Sequence, residues 1–164
     1  GPRADLIGCL AQIDHLRRVR VHTRLPVVLP SRVTPSLGAL LRATRLSPRV
    51  VVHVNHPAEI DEAVARGFAR LIDAGIPVMS QSVLLHGVND HIETLVTLFE
   101  RLIDLRVTPY YLHQLDRVAG AAHFEVNELH GCELIDALRI RLPGYAVPRY
   151  VREIPGKPYK SPLG

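Results

Sequence analysis

Four apolar, β-branched runs recur along this chain, at Val19–Thr23, Val50–Asn55, Val78–Leu85 and Thr108–Leu115. Their starts lie about 30 residues apart, the length of a strand plus a returning helix. The runs are almost continuously apolar, as strands covered on both faces are. The intervals carry helical signals. Thr34-Pro35 reads as a cap with a first-turn proline, followed by Leu37, Leu40 and Leu41 on one face. Pro57 opens a helix with Ile60, Val64, Phe68, Leu71 and Ile72 on one stripe, stopped by Gly75. Asp90 and Glu93 have capping-box spacing ahead of Ile92, Leu95, Val96, Phe99, Leu102 and Ile103. Asn127 caps a last helix through Leu129, Cys132, Ile135 and Leu138, and a short strand, Tyr150–Ile154, runs into a Pro/Gly-rich tail. Alternation of this kind predicts an α/β fold with parallel strands and outer helices. Four or five units fall short of the about 250 residues of a closed eight-stranded barrel. The expectation is therefore an open, partial β/α barrel, one domain over 1–164, with 155–164 as its tail.

Composition narrows the partners. With 47% hydrophobic and 22% charged residues the chain is an ordinary globular sequence, not a disordered or coiled-coil one. The net charge of +4 is spread thinly, in one small cluster at Arg17, Arg18 and Arg20 and another at Arg149, Arg152, Lys157 and Lys160. Aromatic residues, 5% of the chain, are not interleaved with these, so no nucleic-acid surface is expected. Apolar runs such as Val50–Val52 and Leu25–Pro30 are too short for a bilayer, and no membrane partner is expected. Two cysteines, Cys9 and Cys132, are too few for a disulfide scaffold and fit a reducing, cytoplasmic setting. The sequence opens Gly1-Pro2-Arg3, with no Met and no basic-then-apolar leader, which reads as a processed start or a piece of something longer.

In folds of this class the working residues sit at the carboxyl ends of the strands. Here those ends read His22-Thr23-Arg24, His53-Val54-Asn55-His56, Gln81 with His86 beyond it, His113-Gln114-Leu115-Asp116, and Arg152-Glu153. A core has no need of such a row, and the pattern predicts a ligand-lined mouth. Three chemistries remain open at that point. Metal-dependent hydrolysis would draw on His53, His56, His113, His123 and Asp116, although a spacing of three points His53 and His56 to opposite faces of a strand. Covalent catalysis would use Lys157 or Lys160, both in the tail. A non-catalytic binding module is the third.

The phrases HTRLPVVLPSRVTP (His22–Pro35), HVNHPAEI (His53–Ile60), AGIPVMSQSVLLHGVND (Ala74–Asp90), PYYLHQLDRVAGAAHF (Pro109–Phe124) and LPGYAVPRYVREIPGKPYKSPLG (Leu142–Gly164) resemble the lysine 2,3-aminomutase family of radical S-adenosylmethionine enzymes. The variant LHQLD…GAAHF with VREIPG most resembles the bacterial branch that makes (R)-β-lysine for attachment to elongation factor P. The resemblance implies an isomerase that moves the amino group of L-lysine from Cα to Cβ, with pyridoxal phosphate, S-adenosylmethionine and a [4Fe-4S] cluster as cofactors. It implies that Lys160, in the PG-x-x-x-K-[ST]-P motif, is the lysine joined to pyridoxal phosphate as an aldimine. Asp116 and Glu153 match the carboxylates that hold the substrate's side-chain ammonium, Glu153 being the longer of the pair. Gln81 and His53 match contacts to S-adenosylmethionine, and Arg24 is a candidate for that cofactor's carboxylate. The cluster-binding C-x3-C-x2-C run is missing, so the match implies the carboxyl-terminal portion of the family's barrel, inactive alone and with no metal ligand in this chain. His91 stands where some clostridial-type members carry a zinc-binding cysteine, so no structural zinc is expected. A homo-oligomer is compatible with all of this.

Overall fold

The computed structural model describes residues 2–164, with side chains from Leu6 onward; Gly1 lies outside them. Strands β1 (Arg18–Thr23), β2 (Ser47–His53), β3 (Val78–Leu84), β4 (Thr108–Gln114), β5 (Arg149–Arg152) and β6 (Ser161–Pro162) form one sheet in chain order. The first five are parallel neighbours, and β6 returns antiparallel to β5. Helices α1 (Pro2–Ala11), α2 (Leu25–Val28), α3 (Pro35–Arg42), α4 (Glu62–Asp73), α5 (Ile92–Asp104) and α6 (Glu128–Arg141) accompany the strands. The open α/β sheet expected from the 30-residue period is what forms.

Side chains alternate across each strand, so the register sorts them into two faces. Val50, Val52, Val78, Leu84, Leu112 and Tyr150 face the helices and join Phe68, Leu71, Leu95, Phe99, Leu102, Ile135 and Leu138 in the buried core. The other face carries His22, His53, Gln81, Tyr111 and His113, since His22 pairs Val51, His53 pairs Gln81, Gln81 pairs Tyr111 and Val83 pairs His113.

Local signals were read correctly at α3, where Thr34 Oγ1 accepts from the Leu37 N–H at 3.4 Å, and at α6, where Asn127 Oδ1 accepts from the Leu129 N–H at 2.8 Å. Elsewhere the structure corrects them. Pro57 opens only a 3-10 turn, Pro57–Glu59; α4 starts later, capped by Asp61 from the Val64 N–H at 2.8 Å. The reason is Glu59, whose carboxylate turns back onto the Asn55 and His56 N–H groups at 2.7 and 2.9 Å and closes the turn. At α5 the Asp90–Glu93 capping box does not form. Asp90 Oδ2 meets His86 Nδ1 at 2.7 Å and its Oδ1 accepts from the Gly87 N–H at 2.9 Å, while Glu93 pairs with Arg141. Each carboxylate is already committed to a partner outside the box, Glu93 to the Arg141 guanidinium. Helix α4 stops as expected: Gly75 takes φ +77°, which places its N–H on the Ile72 carbonyl (2.8 Å) and the Ile76 N–H on Leu71 (3.0 Å). Helices α1 and α2 and strand β6 were not foreseen.

Candidate functional site

The carboxyl ends of β2 to β5 and the returning tail enclose a cleft of about 320 Å³, lined by His53, Gln81, His113, Asp116, Glu153 and Lys160 among others. Every expected site residue but Arg24 is therefore brought to one place. The β5–β6 hairpin does part of this work. Its register pairs Val151 with Pro162 and Arg152 with Ser161, and the next rung sets Glu153 against Lys160. The Lys160 ammonium is seated on the Glu153 carboxylate and lies 5.6 Å from the centre of the Tyr111 ring. That hydrogen bond and the lysine's charge hold the Glu153 carboxyl below its ordinary value. Asp116, exposed beyond β4, has no hydrogen-bond or ion-pair partner among the described residues, so its carboxylate is free to receive a cation.

Gln81 Nε2 stands 2.7 Å from His53 Nε2 across the β2–β3 pair. Two polar atoms of the cleft are buried without a partner, Gln81 Oε1 and His113 Nε2. Orphans of this kind are rare in a finished core and mark places where another molecule's polar atoms belong. The three histidines of this face are all lowered from their ordinary value. Burial lowers His22, with Arg20 adding to it; burial lowers His53, helped by the nearby cations; burial and the Lys160 charge push His113 down to about 4.

The sign of the linkage follows. A histidine depressed in the folded chain binds fewer protons than its unfolded counterpart, so its stabilisation is complete above the unfolded value near 6.5 and drains as the pH falls, for His113 down to about 4. His130, raised chiefly by the Asp90 carbonyl and then by Glu133, acts oppositely, and its contribution is lost as pH rises through its folded value. Urea midpoints measured from pH 6.5 to 4 should therefore fall less steeply in His113→Gln than in the parent chain. Equal slopes would contradict the assignment.

Three residues sit elsewhere. The Arg24 guanidinium is turned to Glu59, 2.5 Å from Oε2, and does not line the cleft, although its charge helps depress His53. His56 caps the 3-10 turn after β2, its Nδ1 accepting from Ala58 at 3.1 Å, and His123 stacks on Phe124 with ring centres 4.0 Å apart. Of the possible metal ligands, His53, His113 and Asp116 line the cleft while His56 and His123 lie outside it, and among the described residues no group of three His, Cys, Asp or Glu could hold an ion. Sequence reading missed Tyr111, which alternation with His113 places on the same face, and Glu59, whose spacing of three from His56 is the same capping signal recognised elsewhere.

Below the mouth, β4 is pinned to its neighbours by a buried relay. The Tyr150 hydroxyl donates to Gln114 Oε1, and Gln114 Nε2 donates to the Val126 carbonyl at 2.8 Å. This fixes both ends of the 115–127 segment that carries Asp116.

No family model matches the chain. Its sheet is shared with a solved radical SAM methyltransferase from Sphaerobacter thermophilus, with a TM-score of 0.55 over 84% of this chain and 41% of that one at 22% identity. The fold is thus an open α/β sheet of the kind seen in a radical S-adenosylmethionine enzyme, with a polar cleft at its carboxyl edge. Among curated proteins the chain is 44% identical over 158 residues to the L-lysine 2,3-aminomutase of Haemophilus influenzae, covering 96% of this chain and 47% of that protein. It is 42% identical to the Escherichia coli L-lysine 2,3-aminomutase (96% and 46%) and 42% identical to that of Clostridium subterminale (96% and 38%). The chain is homologous to these L-lysine 2,3-aminomutases, and it spans about half the length, or less, of the curated relatives it matches.

Proposed function

We propose that this chain forms the lysine-facing half of an isomerase that converts L-lysine to β-lysine, with the iron–sulfur cluster held outside it, so that the 164 residues alone do not turn over. One observation carries the reading. The cleft already holds an alkylammonium, that of Lys160, on Glu153, with the free carboxylate of Asp116 lining the same space. Two carboxylates lining one cleft offer charge-assisted acceptors to the ammonium of a lysine side chain. The names of the relatives support the same substrate, and the LHQLD…GAAHF and VREIPG phrases support β-lysine destined for elongation factor P. Two free cysteines fit a cytoplasmic setting, and no helix among the described residues is long and apolar enough to cross a membrane.

The residues fit two of the three cofactors. Lys160 is the amine that would hold pyridoxal phosphate, and the unpartnered Gln81 Oε1 offers a polar contact in the same cleft. When bound, pyridoxal phosphate supplies a carbonyl that reacts with amines and a conjugated ring that spreads charge or spin. His53 and Gln81, with Arg24 nearby, would hold S-adenosylmethionine, which supplies hydrogen-atom abstraction after one-electron reduction. The cluster does not fit: the chain's only cysteines, Cys9 and Cys132, are one exposed and one half-buried and form no three-thiolate run. The chain's own part is to orient. Glu153 and Asp116 would hold the side-chain ammonium of the substrate, and Lys160 would hold the cofactor that meets its other end.

The test is direct. The longer protein carrying this chain, given L-lysine, S-adenosylmethionine and pyridoxal phosphate under anaerobic reduction, should yield β-lysine by mass spectrometry. A complete lack of β-lysine overturns the reading.

A further inference from the structure

We infer that His113 determines specificity for a primary ammonium: its Nε2 is the third acceptor, beside Asp116 and Glu153, for the substrate's side-chain nitrogen. The inference rests on the reading of those two carboxylates given above. An alkylammonium carries three N–H donors and no acceptor, so each acceptor the cleft supplies replaces a water, and three satisfy it fully. Glu153 and Asp116, which both line the cleft, supply two. His113 lies on the inward face of β4, opposite Val151, two residues before Glu153 leaves β5. Its Nε2 is buried and without a partner, and the ring lines the same cleft as both carboxylates and Lys160. The ring is braced edge-on by Tyr111, with centroids 5.6 Å apart, so the nitrogen is presented on a fixed support. Neutral imidazole offers one lone pair, and burial beside a lysine keeps this ring neutral. A nitrogen left unpaired here is costly while the cleft is empty and is satisfied when a donor arrives. With Lys160 engaged elsewhere, the incoming ammonium takes the place that the Lys160 ammonium now occupies.

Calorimetry of L-lysine binding to the Lys160→Ala chain, which lacks the resident ammonium, tests this. His113→Phe in that background keeps a planar ring and removes the acceptor, and should weaken lysine binding about tenfold, the loss of one hydrogen bond to a charged group. His113→Gln, whose amide oxygen accepts, should restore most of it. N6,N6-dimethyl-lysine, with a single N–H, should bind at least tenfold more weakly than lysine in the Lys160→Ala chain, and His113→Phe should narrow that gap. In the Lys160→Ala chain itself, lysine should shift the His113 Nε2 resonance upfield, a readout that needs no further variant. If Asp116→Asn and Glu153→Gln lose lysine while His113→Phe binds within twofold and the resonance stays still, the carboxylate reading stands and the role of His113 falls. If neither carboxylate variant changes binding, or the Lys160→Ala chain does not take lysine, the underlying reading falls as well.

Discussion

Lys160→Ala is expected to abolish the long-wavelength absorbance of protein-bound pyridoxal phosphate, whereas Lys157→Ala should leave it intact. The two lysines are three residues apart and chemically equal; their surroundings are not. Lys160 lies at the wall of the cleft, with 28% of its side chain exposed, its ammonium on Glu153 and above Tyr111. Lys157 lies outside the cleft, its Nζ reaching only Ser161 Oγ at 3.4 Å. A carbonyl held in the cleft would meet the first amine and not the second. Borohydride reduction followed by peptide mapping gives the same answer covalently. Modification at Lys157 would show that the motif had been aligned three positions out of place.

The largest effect on stability should come from a residue that touches no ligand. Gly131, on the inward side of α6, faces the ring of Tyr150, and a Cβ built at that position falls within 2.7 Å of Tyr150 Cε1 and closer still to the hydroxyl. Neither partner can retreat cheaply. Tyr150 is buried between β4 and α6, burial raises its phenol well above the ordinary range, and its hydroxyl is committed to Gln114. Gly131→Ala therefore forces overpacking and breaks a buried hydrogen bond, together about 4 kcal/mol. Urea denaturation of the variant measures this, and a cost below about 1 kcal/mol would mean that α6 can slide. Because the same relay fixes the segment carrying Asp116, lysine binding should weaken along with stability.

What the sequence made legible, and what it did not, divides along physical lines. Strand β2 was readable because Val50, Val51 and Val52 are buried on both faces and leave no polar residue there, and the period between runs matches a crossover helix. The cleft was readable because His53, Gln81 and His113 interrupt that apolar pattern at the same edge. Helix starts failed where a side chain found a better partner than the backbone. Asp90 prefers His86, and Glu93 prefers Arg141, forty-eight residues away, a contact that no local pattern encodes. The pairing of Arg24 with Glu59 was hidden for the same reason, since nothing local links the two across thirty-five residues. Strand β6 escaped because two residues, Ser161 and Pro162, carry no periodicity; only pairing with β5 makes them a strand.

That small hairpin has a further consequence. Glu153 and Lys160 occupy facing ends of its ladder, anchored by the Arg152–Ser161 pair and not by the six residues 154–159 that join them. The join turns at Gly156, which takes φ +82°, and is held by one backbone bond, from the Lys157 N–H to the Ile154 carbonyl at 3.0 Å. The acid and the amine therefore owe their juxtaposition to strand pairing, and a substitution within 154–159 that spares the ladder should leave the two facing each other.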